Sequence, residues 1–136
     1  MTKEQAIKTA VEWWARKLKA RAPHSNGDSG KASIMACLLA DFGAKTVTDE
    51  QLDIFKNELA MTIDAELKDH QWCDVYLGCD YNPTMNLRDA AAKAGISEFN
   101  FPYKTDMYIK KHNDGWCGVY VYDGYGSGRE ELQPVE

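Results

Sequence analysis

The chain has 136 residues, 44% of them hydrophobic, and sets 16 Lys and Arg against 21 Asp and Glu for a formal net charge of −5. That length suits one domain around one core. The acidic balance argues against a general nucleic-acid binder, which needs a basic face to displace phosphate counterions. No run of about 18 apolar residues and no apolar leader core supports a membrane span or a secretory signal, so a cytoplasmic setting is expected.

Thr2 and Gln5 form a capping box, and Ile7, Val11, Trp14 and Leu18 recur at helical spacing, which predicts a first helix over Lys3 to Arg21. Ala6, Ala10 and Ala15 widen its apolar stripe, whereas Trp13 falls beside the stripe and is expected to stay partly exposed. Pro23 stops this helix, and Pro23 to Gly30 is a run of turn formers in which Asn26-Gly27 accepts positive φ and Asp28 or Ser29 caps the next helix. Ala32 to Phe42 is apolar almost all round, the pattern of a central helix closed at Gly43.

A second capping box, Thr48 and Gln51, opens a helix whose Leu52, Phe55, Leu59, Ile63 and Leu67 share one face and which ends near Lys68. The period then changes to two: Cys73, Val75, Leu77 and Cys79 alternate with Asp74, Tyr76 and Gly78, as in a strand with one buried face. Asn82-Pro83 reads as a helix start, with Leu87, Ala90, Ala91 and Ala94 inside and Gly95 as the stop. Two strands, Tyr103 to Lys110 and Trp116 to Asp123, flank a hairpin turn at His112-Asn113-Asp114-Gly115. The Gly124 to Gly128 run is compatible with a bulged strand continuation or a mobile flap. The expected architecture is α+β within one domain, a three-helix N-terminal half (1–70) packed on a small β-α-β-β sheet (71–136).

Chemically diagnostic motifs are scarce. Ser25 to Ser33 resembles a phosphate-binding loop only superficially: Ala32 stands where a hydroxyl is required, and a helix precedes it where a strand is needed. Cys37, Cys73, Cys79 and Cys117 contain no C-x-x-C pair and read as reduced, buried thiols. A zinc set of Cys73, Cys79, Cys117 and His112 has the wrong spacing for a known finger or ribbon. Nothing places Asp74, Asp80 and Asp106 at a common catalytic centre, and no motif implies a cofactor or a metal.

The unusual feature is aromatic density: Phe99, Phe101, Tyr103, Tyr108, Trp116, Tyr120, Tyr122 and Tyr125, interleaved with Lys104, Lys110, Lys111 and Arg129. If Trp116, Tyr120 and Tyr122 oppose Cys117, Val119 and Val121, the last strand is apolar or aromatic on both sides. Its second face is then either covered by helices or an exposed recognition platform.

Trp13 to Leu18, Asn26-Gly27-Asp28, Phe101 to Met107 and Tyr122 to Gly126 together resemble a group of small accessory proteins carried by phages and mobile elements of bacteria. The resemblance implies an accessory protein that occupies a surface on another macromolecule, for instance an inhibitor of a defence system such as a CRISPR effector. It carries no functional residues with it. The residues themselves favour a non-enzymatic binder of a protein partner, with Asn26, Asp28, Tyr103, Lys104, Trp116, Tyr122, Tyr125 and Arg129 as contacts. The alternative is a small enzyme or ligand sensor with a pocket between helices and sheet, served by Asp28, Cys79, Asp80 and Lys104.

Overall fold

The computed structural model describes residues 1–20, 46–68, 74–124 and 126–135. The predicted helix over Ala32 to Phe42 and the loop before it lie outside the described residues, as do Asn26, Asp28 and Tyr125. In chain order the elements are α1 (Lys3–Ala20), α2 (Asp49–Lys68), β1 (Asp74–Asp80), β2 (Asn82–Pro83), α3 (Met85–Ala94), a 3-10 turn (Glu98–Asn100), β3 (Lys104–Lys111), β4 (Cys117–Asp123) and β5 (Glu130–Glu131). The strands form one antiparallel sheet in the order β2-β1-β3-β4-β5, and the fold is α+β.

Both capping boxes form. Gln5 N donates to Thr2 Oγ1 at 3.2 Å while Thr2 N donates to Gln5 Oε1 at 2.9 Å, and Thr48 and Gln51 repeat the exchange at 3.1 and 2.9 Å. These bonds satisfy backbone donors that a helix start leaves open. From α2, the five residues expected on one face, Leu52, Phe55, Leu59, Ile63 and Leu67, are all buried. Trp13 departs from expectation at 8% exposure: its ring meets Trp14 edge-on at 5.0 Å and Lys17 caps it at 5.1 Å, so the buried stripe of α1 is one residue wider than the apolar spacing indicates.

Asn82-Pro83 does not begin a helix. Tyr81 turns the chain at φ 66°, and Asn82 and Pro83 pair back onto Asp80 and Cys79 as a two-residue edge strand, where the missing proline N–H costs no ladder bond. The helix starts instead at Met85, after Thr84. Asn86 Oδ1 accepts from Leu87 N at 2.8 Å and Asn86 Nδ2 donates to the Tyr76 carbonyl at 3.0 Å, fastening α3 to β1. The helix ends at Gly95, as expected, with the Gly95 and Ile96 N–H groups returning to the Ala92 and Ala91 carbonyls.

The glycine run after Asp123, of which Tyr125 lies outside the described residues, does not extend β4. It reverses the chain so that Glu130 and Glu131 pair with Val121 and Tyr120 as β5. Gly124 N donates to the Lys104 carbonyl at 2.9 Å and Ser127 Oγ to the Asp123 carbonyl at 2.7 Å, so local bonds hold the reversal.

One apolar cluster joins α1, α2, α3 and one face of the sheet. Phe101 is its wedge: it packs edge-on against Trp14 of α1 at 6.0 Å and against Phe55 of α2 at 6.2 Å. From the sheet come Val75, Leu77, Cys79, Met107, Ile109, Cys117, Val119 and Val121. Surface pairs Lys3–Asp64 at 3.0 Å and Lys56–Glu12 at 3.3 Å tie α1 to α2, but solvent-screened pairs of this kind contribute little to stability. Among the described residues, no helix is long and apolar enough to cross a membrane.

Trp14 Nε1 is buried with no hydrogen-bond partner among the described residues. Replacing Trp14 by Phe removes that stranded donor, worth about 1–3 kcal/mol, and so offsets much of the packing it loses. Phe101→Ala, by contrast, leaves a cavity between three elements and costs about 3–5 kcal/mol. Urea unfolding of the two variants checks the contrast: Trp14→Phe should fall within about 1 kcal/mol of wild type.

Candidate binding face

Strand alternation builds the site. With Val75, Leu77, Met107, Ile109, Val119 and Val121 turned into the core, the intervening residues of β1, β3 and β4 all face the other way. The register places Tyr76 opposite Tyr108 and Tyr108 opposite Tyr120, so three tyrosines from three strands form one row across the sheet. The next row holds Gly78, Asp106 and Tyr122, and the row on the other side Asp74, Lys110 and Gly118. The apolar core cluster includes none of these tyrosines, and all four are half-buried.

Two glycines let the rings lie down. A Cβ on Gly78 would collide with Tyr76 Oη, and one on Gly118 would fall 2.6 Å from Tyr120 Oη, so each phenol covers the glycine two residues away on its own strand. Tyr76 thereby reaches Asp106 and donates its hydroxyl to Oδ1, while Lys104 Nζ pairs with the other carboxylate oxygen at 3.4 Å. Burial first, and then this hydrogen bond to a carboxylate, hold the Tyr76 phenol far above its ordinary pKa. Tyr108 packs on Tyr76 with centroids 5.1 Å apart and meets Tyr122 edge-on at 6.3 Å, so the rings brace one another.

Between them lies a cleft of about 380 Å³ whose walls include Asp74, Asp106, Tyr108, Lys110, Tyr122 and Arg129, with Tyr120 as part of the floor. Lys110 Nζ stands 5.9 Å from the Tyr120 ring centroid and the Arg129 guanidinium carbon 4.9 Å from it, so two cations share one ring. A larger groove of about 660 Å³ separates α1 from α2, floored by Ile7, Val11, Ala60 and Met61. Part of its charged rim is internally paired, Lys56 with Glu12 and Asp53, and Asp64 with Lys3 and Lys68, while Glu4 and Lys8 line it without an ion pair among the described residues. The sheet cleft is the better candidate, because its two cations converge on one ring among several tyrosines.

The residues expected as contacts do not assemble at one place. Tyr122, Arg129 and Lys104 lie on the tyrosine face. Trp116 sits at the β3–β4 turn, 43% exposed, its ring 5.3 Å from that of His112. Tyr103 lies beyond the far end of β3, beside Tyr81 at 6.3 Å, separated from Trp116 by a strand of eight residues, or roughly 25 Å. The alternative pocket is not assembled either: Cys79 is buried in the core, whereas Asp80 and Lys104 pair at 3.9 Å on the opposite side of the sheet. Among the described residues no group of three or more His, Cys, Asp or Glu side chains is arranged to hold a metal ion.

Tyr76, Tyr108, Tyr120, Lys110 and Asp106 belong to the face but not to the expected contact set. Their signal was present in the period-two pattern, since Tyr76 alternates with the core residues of β1 and Tyr108 with those of β3. Only the pairing register shows that they meet. Comparison with known protein families, with curated proteins and with solved structures finds no match.

Tyr76→Phe removes the donor to Asp106 and should cost about 1 kcal/mol at neutral pH. The pH dependence has a definite sign. The unfolded phenol titrates near its ordinary value of about 10, while the native one keeps its proton to higher pH, so this contribution is complete below about pH 10 and is lost as pH rises toward the native value. The stability gap between wild type and Tyr76→Phe, measured by denaturant unfolding from pH 7 to 11, should hold constant up to about pH 9 and then narrow.

Proposed function

We propose that this protein is a non-enzymatic binding module that docks a protein partner on the tyrosine face of its sheet. The observation that carries this reading is the single row of Tyr76, Tyr108 and Tyr120, with Tyr122 beside it, on the side of the sheet away from the apolar core. Tyrosine supplies large, stiff contact area with a polar tip, and together with arginine it dominates the energetic centres of protein interfaces. The described residues bring hydroxyls, two cations and two carboxylates to the cleft, groups that recognition can use.

Two observations favour a protein partner over a nucleic acid in this reading. Tyr108 and Tyr122 stand nearly perpendicular, at 89°, which leaves no flat run of rings for successive bases, and the chain carries a net charge of −5. An enzyme or sensor reading is weakened by the placement of Cys79 and the Asp80–Lys104 pair on opposite sides of β1 and β3. An accessory role, such as occlusion of a bacterial defence effector in the cytoplasm, is one that a docking face of this kind would serve.

The test compares immobilised wild type with a Tyr108→Ser/Tyr122→Ser double variant and, as a control in the α1–α2 groove, Met61→Ser. Folding of each is verified by circular dichroism and thermal unfolding. Proteins captured from a bacterial lysate by wild type and by Met61→Ser should be lost, by tenfold or more in recovered amount, with the tyrosine double variant, as removal of about 1.4 kcal/mol or more of contact energy requires. Equal capture by all three would overturn the reading.

A further inference from the structure

Within that docking face, and resting on it, we propose that Lys110, Tyr120 and Arg129 form a subsite for a carboxylate carried on an acidic side chain of the docked peptide segment. Lys3, Lys17, Lys56, Lys68, Lys93 and Lys104 each pair with a carboxylate in the fold. Lys8, Arg16, Arg88, Lys110, Lys111 and Arg129 form no ion pair among the described residues, and of these Lys110 and Arg129 both lie against the Tyr120 ring. Two cations gathered on one ring repel each other, and a bound anion relieves that repulsion.

The guanidinium carbon of Arg129 lies 4.9 Å from the Tyr120 ring centroid, and a guanidinium so placed offers N–H groups for the two-pronged hydrogen bonding that matches a carboxylate. Lys110 adds a point charge from the other strand. The floor is built for the purpose: Tyr120 can lie over Gly118 only because that position has no side chain. Asp74 and Asp106 line the same cleft, so a doubly charged phosphate meets more repulsion than a singly charged carboxylate does. The neighbouring Tyr108 and Tyr122 supply an apolar wall for a ring beside the acidic residue, which points to a segment with an aromatic next to a Glu or Asp.

The experiment titrates the full ¹⁵N-labelled chain with acetyl-Tyr-Glu-amide, acetyl-Tyr-Gln-amide, sodium acetate and inorganic phosphate, and reads backbone amide shifts. The Glu peptide should shift the Lys110, Tyr120 and Arg129 amides saturably and bind about tenfold more tightly than its Gln twin, the preference weakening with added salt. In a Lys110→Gln/Arg129→Gln variant that preference should vanish. Equal affinity for the two peptides, a preference that survives in the double variant, or acetate or phosphate binding as tightly as the Glu peptide would each overturn the proposal. Its failure is distinguishable from failure of the docking face. If the peptides bind alike while partner capture still depends on Tyr108 and Tyr122, only the carboxylate subsite is wrong. If capture ignores those tyrosines while the Glu preference stands, the docking face is wrong.

Discussion

Everything in this structure depends on the register of β1, β3 and β4. One face of these strands supplies Val75, Leu77, Met107, Ile109, Val119 and Val121 to the helical core, so a slip of one residue in any pair would turn that whole apolar set outward and the tyrosines inward. Burial of the first face therefore dictates what the second face displays. The candidate binding surface is the reverse side of the core, positioned by the same hydrogen-bond ladder that holds the fold together.

The two faces are held by different chemistry. Inside, Phe101 wedges between Trp14 and Phe55, and the contacts are apolar and edge-on. Outside, tyrosines brace one another at 5.1 and 6.3 Å and Asp106 anchors both the Tyr76 hydroxyl and Lys104. A braced ring loses little conformational freedom when a partner arrives, which is the physical advantage of ordering a recognition surface before it is used. The two cations on Tyr120 stand apart from this network, in a cleft that also carries the Asp74 and Asp106 carboxylates.

Much of the helical architecture is legible residue by residue. The Thr2–Gln5 and Thr48–Gln51 boxes, the five-residue stripe of α2 and the stop at Gly95 all rest on contacts within four or five positions, and the alternating periods of β1, β3 and β4 mark their buried faces. Trp13 escapes this reading because spacing counts apolar positions and not the contacts, here with Trp14 and Lys17, that cover a ring beside the stripe. Asn82-Pro83 escapes it for a related reason. Its local preference for a helix start is real, but the pairing it makes with Cys79 and Asp80 outweighs it, and only the fold brings that partner within reach.

The candidate site shows the same division. The chain itself determined that tyrosines alternate with core residues, that lysine and arginine accompany them, and that its net charge is −5. Tertiary structure alone decided that Tyr76 and Asp106, 30 residues apart, share a hydrogen bond, that Arg129 and Lys110 converge on Tyr120, and that Trp116 and Tyr103 stand at opposite ends of a hairpin. The reason is that a helix or a strand face arises from interactions between near neighbours, which any short stretch of chain expresses. Which strand lies beside which, and in what register, is set by the burial of one common core, and that is a property of the chain as a whole.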